Sequence, residues 1–140
     1  MEVVPYKAEH LMAMTLQPAQ AWMVPLVNYE MAKALEGNAM TGLDGDEVLI
    51  VAGVAEYWTG RGLIWAYVGE NAPRHWKSIH AAAKRFLELA PQDRIEAAIE
   101  VGHDAGERWI KKLGFELETP LARKYQAGGR DCKVYVKIRG

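Results

Sequence analysis

The sequence predicts an α+β fold in which mostly antiparallel strands are interspersed with helices, and three observations carry that prediction. Asp44-Gly45 stands between two β-prone runs, and a second turn, Thr59-Gly60-Arg61-Gly62, leads into Leu63–Val68, so three antiparallel strands follow one another. Arg94–Val101 reads as a buried strand and passes into a short helix closed by Leu113-Gly114-Phe115. Gly128-Gly129 joins Leu121–Gln126 to Asp131–Ile138 as a terminal hairpin.

The remaining elements fall between these. Val3–Tyr6 reads as a first edge strand, and Lys7-Ala8-Glu9-His10 enters a short helix that runs through Met14. Pro18 and Pro25 interrupt the chain. Apolar residues at Leu26, Val27, Met31, Ala34 and Leu35 then recur at helical spacing before Gly37-Asn38, which predicts a second helix over Pro25–Glu36. A longer helix is expected over Arg74–Leu89, with Trp76, Ile79, Ala83, Phe86 and Leu87 on its apolar side. Pro73 falls near its first turn, where a missing N–H costs little, and Pro91-Gln92-Asp93 ends it.

A chain of 140 residues fits one domain, residues 1–140, and its 50% hydrophobic and 25% charged residues suit a packed core. Seventeen basic side chains against eighteen acidic ones give a net charge of −1, so no overall field draws the protein to nucleic acid or to an anionic membrane. No stretch approaches the roughly 18 apolar residues of a membrane span, and no leader pattern opens the chain. The single Cys132 excludes an internal disulfide, and His10, His75, His80 and His103 are too scattered for a metal spacing. A cytoplasmic protein without metal is the expectation.

The order strand, two helices, three antiparallel strands, helix, strand, helix and hairpin resembles the GNAT acetyltransferase superfamily over nearly the full length. The resemblance implies a mixed, mostly antiparallel central sheet flanked by helices, with acetyl-CoA as co-substrate. In that family the fourth strand leads to a loop of pattern Gln/Arg-x-x-Gly-x-Gly/Ala, whose amides at a helix start bind the coenzyme pyrophosphate, since free N–H groups and the helix dipole favour an anion. The matching stretch is Arg74-His75-Trp76-Lys77-Ser78-Ile79, with Lys77 and Ile79 in place of the glycines. A second family pattern, Asn-x-x-Ala-x-x-Leu-Tyr-x-Lys-x-Gly-Phe, matches at Lys112, Gly114 and Phe115. His103, Gly106, Trp109 and Ile110 depart from it, and Ile110 stands where the usual tyrosine acid would be.

The resemblance makes Val68, Arg74, His75, Trp76, Lys77, Ser78, His103 and Trp109 the candidate coenzyme contacts. Each has a structural alternative: Arg74 and Lys77 as solvated charges, His103 as a helix cap, Trp109 as a core residue. Acetyl transfer to an amine needs a base for the amine proton, and Glu56 and Glu100 are the candidate carboxylates. On strand alternation, Glu96 and Glu100 face away from Ile95, Ile99 and Val101 and read as a polar outer face. Tyr67, at the end of the fourth strand, and Tyr125, from the other side on the hairpin, are each a candidate acid or pocket wall, with a core or rim aromatic as the structural alternative. Two functions follow. One is an N-acetyltransferase acting on a small-molecule or protein amine. The other is a degenerate GNAT-fold binding or assembly protein, since Arg74-His75-Trp76, Ile79-His80, Arg108-Trp109 and Gly129-Arg130-Asp131 resemble GNAT-type proteins of tailed phages, some of them virion proteins. Trp58 and Trp65 are open to two readings, a homodimer surface or packing in the core.

Overall fold

A computed structural model describes residues 1–140. In chain order the elements are β1 (Glu2–Pro5), α1 (Ala8–Met12), a 3-10 segment (Pro18–Leu26), α2 (Tyr29–Ala34), β2 (Ala39–Asp44), β3 (Glu47–Trp58) and β4 (Arg61–Val68). A 3-10 turn (Ala72–His75), α3 (Trp76–Leu89), β5 (Arg94–Glu100), α4 (Asp104–Lys112), β6 (Glu116–Gln126) and β7 (Arg130–Ile138) complete the chain. The seven strands are ordered β1-β2-β3-β4-β5-β7-β6. Only β4 and β5 are paired in parallel, through Arg61 with Arg94, Gly62 with Ile95 and Leu63 with Glu96. The expected fold class, a mostly antiparallel mixed sheet flanked by helices, is the observed one.

The chain divides into two compact units, Met1–Ala55 with Trp65–Leu89, and Glu56–Ile64 with Ala90–Gly140. The core of the first is built from Tyr6, Ala8, Leu11, Ala32, Ala39 and Val51, against which Met14, Met31, Trp65 and Tyr67 pack. The Tyr6 ring meets Trp65 edge-on at 5.6 Å, and its hydroxyl donates to the Ala32 carbonyl at 2.7 Å, so the polar end of this buried ring is satisfied. In the second unit Ile95, Ala97, Ile110, Leu113, Phe115, Cys132, Val134, Tyr135 and Val136 are buried.

The Gly-Phe helix stop works as its sequence implies. Gly114 has φ +93°, its N–H donates to the Lys111 carbonyl at 3.0 Å, and the Phe115 N–H reaches back to Ile110 at 3.2 Å. This pair of bonds satisfies carbonyls that the end of α4 would leave open, and it turns the chain into β6.

Three expectations are corrected. The helix expected over Pro25–Glu36 is two elements: Pro18 and Pro25 bracket most of a 3-10 run, Val27 is extended, and the Asn28 side chain then accepts the Met31 N–H at 2.9 Å to start α2. Arg74 and His75 lie in a 3-10 turn opened by Pro73, so the α-helix begins at Trp76. Glu96 is not part of an outer polar face: Ile95, Glu96 and Ala97 are all buried, so both faces of β5 are covered there.

Candidate functional site

In the first unit the candidate coenzyme residues follow the end of β4. Tyr67 is half-buried, with its ring 6.0 Å from that of Trp65, and burial raises its pKa above the ordinary phenol value. Val68 is buried. Its N–H donates to the Gln20 side-chain oxygen at 2.8 Å and its carbonyl accepts the Gln17 N–H at 2.8 Å. Gly69 follows, where a Cβ would stand 2.5 Å from Asn71 Oδ1 and 3.0 Å from the Leu49 carbonyl, so only glycine fits.

The chain then turns through Ala72–His75 into α3. Arg74, Lys77 and Ser78 are exposed, and neither Arg74 nor Lys77 is ion-paired. His75 Nε2 lies 3.1 Å from Asp44 Oδ2, and Trp76 is half-buried. The Trp76 N–H donates to the Pro73 carbonyl, so the 3-10 turn consumes one amide of the helix start. Two exposed cations and an exposed hydroxyl therefore stand within five residues of one another in sequence at this end of α3.

In the second unit Glu56 lies on the exposed end of β3 and accepts from Gln92 Nε2 at 2.7 Å. Gln92 itself is 1% exposed, and its Oε1 has no partner. Glu100 is ion-paired with Arg130, which occupies a carboxylate that was a candidate base. His103 is the N-cap residue of α4, but its side chain makes no capping bond. Trp109 is half-buried on that helix, and Ile110 is buried. Tyr125 is exposed on β6.

Two polar arrangements in this unit carry no signal in the sequence. Glu96 is 3% exposed and is held by Arg61, Nε to Oε2 at 2.5 Å and Nη2 to Oε1 at 3.2 Å, and by Arg94 Nε at 2.9 Å. The Arg61 bond and, less strongly, Arg94 keep its pKa low against the opposing effect of burial. The Arg61 guanidinium also lies 4.6 Å from the ring centroids of both Tyr57 and Trp58. On α4, Glu107 accepts from the Tyr135 hydroxyl at 2.6 Å and from Lys133 at 3.0 Å. These bonds pull its pKa down to about 2, while burial and the same bond push Tyr135 up to about 12. No group of three or more His, Cys, Asp or Glu side chains is arranged to hold a metal, and no helix is long and apolar enough to cross a membrane.

No protein-family model matches the chain, and no curated protein matches it in sequence. Solved structures do match it in shape. Ard1 from Thermoplasma volcanium superposes with a TM-score of 0.78 at 13% identity, covering 98% of this chain and 96% of that one. A GNAT-family acetyltransferase from Bacillus anthracis gives 0.69 at 14% identity, over 97% and 93% of the two chains. The chain has the GNAT fold. A third GNAT-fold neighbour, yncA from Salmonella typhimurium, described as a putative acetyltransferase with its cofactor acetyl-CoA, gives 0.58 at 13% identity over 71% of this chain and 63% of its own. At these identities the likeness establishes the architecture, and the chemistry rests on the residues.

Proposed function

We propose that the protein is an N-acetyltransferase that moves the acetyl group of acetyl-CoA to an amine of a small molecule or protein. The observation that carries this reading is the passage from Val68 to Ser78. It leaves β4, turns through Ala72–His75 and sets unpaired Arg74 and Lys77, with Ser78, at the start of α3. Arg74, Lys77 and Ser78 would hold the coenzyme phosphates by side chain, in place of the amides that loop glycines expose in the family resembled. His75, tied to Asp44, and half-buried Trp76 would shape the same end of the helix, and His103 and Trp109 are proposed as further coenzyme contacts.

In the reaction the amine nitrogen bonds to the thioester carbon, and the tetrahedral intermediate collapses by breaking the carbon–sulfur bond. The amine loses a proton, and the thiolate gains one. Glu56 is the proposed base, oriented by Gln92, whereas Glu100 is engaged by Arg130. Tyr67 is the proposed acid: its raised pKa keeps the phenol protonated at neutral pH. The test is release of free coenzyme thiol from acetyl-CoA across a panel of amines. Turnover that falls on Glu56→Gln and on Tyr67→Phe supports these roles, and undiminished turnover in either variant removes that residue.

A second reading has its own support. Ile110 is buried and carries no proton, and the Trp76 N–H is already bonded, so a degenerate GNAT-fold binding or assembly protein is the alternative. The phage-type placement of that alternative rests on the sequence resemblance alone. Acetyl-CoA bound without turnover on any amine would favour it.

A further inference from the structure

The Arg94 N–H donates to the Gly60 carbonyl at 2.9 Å, which marks the edge of β4 that pairs with β5. Two-residue alternation puts Ala66 and Val68 on that same edge, beyond the last paired residue, Leu63. The Gln20 side chain covers it. Its Nε2 donates to the Ala66 carbonyl at 2.8 Å, and its Oε1 accepts the Val68 N–H at 2.8 Å. One carboxamide thus makes the donor and acceptor pair that the N–H and C=O of one residue in a neighbouring strand would make. Gln17 adds its own N–H on the Val68 carbonyl, and Thr15 accepts the Glu70 N–H at 3.0 Å.

Gln20 sits in the 3-10 strap Pro18–Leu26, none of whose nine residues is fully buried and in which Trp22 and Met23 are half-buried, so the strap opens at lower cost than a core element. A strand edge with free N–H and C=O groups accepts any extended chain that carries amides. The pantetheine arm of acetyl-CoA is such a chain, with two secondary amides.

We propose that Gln20 is a built-in clamp: its carboxamide fills the Ala66–Val68 edge of β4, and the Pro18–Leu26 strap must release it before an amide-bearing ligand pairs there. The choice of ligand rests on the acetyl-CoA reading above, which makes Val68 a coenzyme contact. The clamp itself rests on the two hydrogen bonds.

Hydrogen exchange of the full chain without ligand tests the clamp by itself. In Gln20→Met, which keeps the length of the side chain, and in Gln20→Ala, the Val68 amide should exchange about tenfold faster or more, since its acceptor is gone. Unchanged exchange at Val68 overturns the clamp. Titration with acetyl-CoA tests release: both variants should bind severalfold more tightly than the wild type. Equal or weaker binding by the variants, with the wild type binding, overturns the competition and leaves the acetyl-CoA reading intact. If no form of the protein binds acetyl-CoA, the acetyl-CoA reading falls and takes the proposed competitor with it, and the exchange rates at Val68 still decide the clamp.

Discussion

Replacing Glu96 with Ala should destabilise the protein by about 3 kcal/mol. The carboxylate is buried between Arg61 and Arg94, and it joins the two strands whose parallel pairing includes Leu63 with Glu96. Removing one partner of a buried ion pair costs about 3–5 kcal/mol, because the remaining charge is left without compensation. Here the low end applies. The Arg61 and Arg94 side chains are 32% and 33% exposed and can turn toward water, and Arg94 retains Glu118 at 2.5 Å.

For a chain of this length that loss lowers the melting temperature by about 10 °C. Urea unfolding followed by far-UV circular dichroism gives the free energy, and a thermal scan gives the midpoint. The pH dependence supplies a second readout. Because the folded-state pKa of Glu96 is below its unfolded value of about 4.3, its contribution is present above that pH and is lost as the pH falls through the folded value. The wild type should therefore lose its advantage over Glu96→Ala in acid. A loss below about 1 kcal/mol at neutral pH, or a difference that persists undiminished at pH 2, would refute the reasoning.

Other consequences are as specific. Gly114→Ala should cost about 1–2 kcal/mol in the same urea assay, since a side chain at φ +93° is strained, and its Cβ would press within 2.7 Å of Lys137 Nζ. Tyr135→Phe removes the first of the bonds that depress the Glu107 pKa, so the carboxyl should titrate higher by NMR. Stability that in the wild type is lost only as pH falls toward about 2 should be lost at higher pH in the variant. His10 accepts the Lys7 N–H and faces Thr41 Oγ1 at 2.8 Å through the same ring nitrogen, and burial lowers its pKa. Its contribution should be complete above its unfolded value of about 6.5 and decline as pH falls below it, a slope that His10→Gln should remove. Arg74→Ala with Lys77→Ala should weaken acetyl-CoA binding at least tenfold, with unchanged melting, because both side chains are exposed; unchanged affinity would remove them as phosphate ligands.

What the sequence disclosed was what neighbouring residues decide. The Asp44-Gly45 and Gly128-Gly129 hairpins and the Leu113-Gly114-Phe115 stop depend on local backbone conformation, and each sits where its residues placed it. In the second helix the apolar spacing from Leu26 hides the signal of Asn28, whose capping oxygen marks the true start. Alternation along β5 sets Glu96 on the face of Glu100 and cannot register Arg61, a residue 35 positions earlier that strand pairing brings alongside. Gln20 and Gln92 gave no signal for a related reason. A carboxamide looks like surface until a distant strand edge or carboxylate is set against it, as Ala66, Val68 and Glu56 are. The candidate site was legible as a set of residue types on the end of β4 and the start of α3, while the partners that occupy or orient them were not.

The most direct test of the central claim is isothermal titration of the purified protein with acetyl-CoA, with adenosine bisphosphate as the comparison ligand. Acetyl transfer on this fold predicts saturable binding of acetyl-CoA, with the bisphosphate binding more weakly because it lacks the arm and thioester. Absence of binding up to millimolar acetyl-CoA would contradict it.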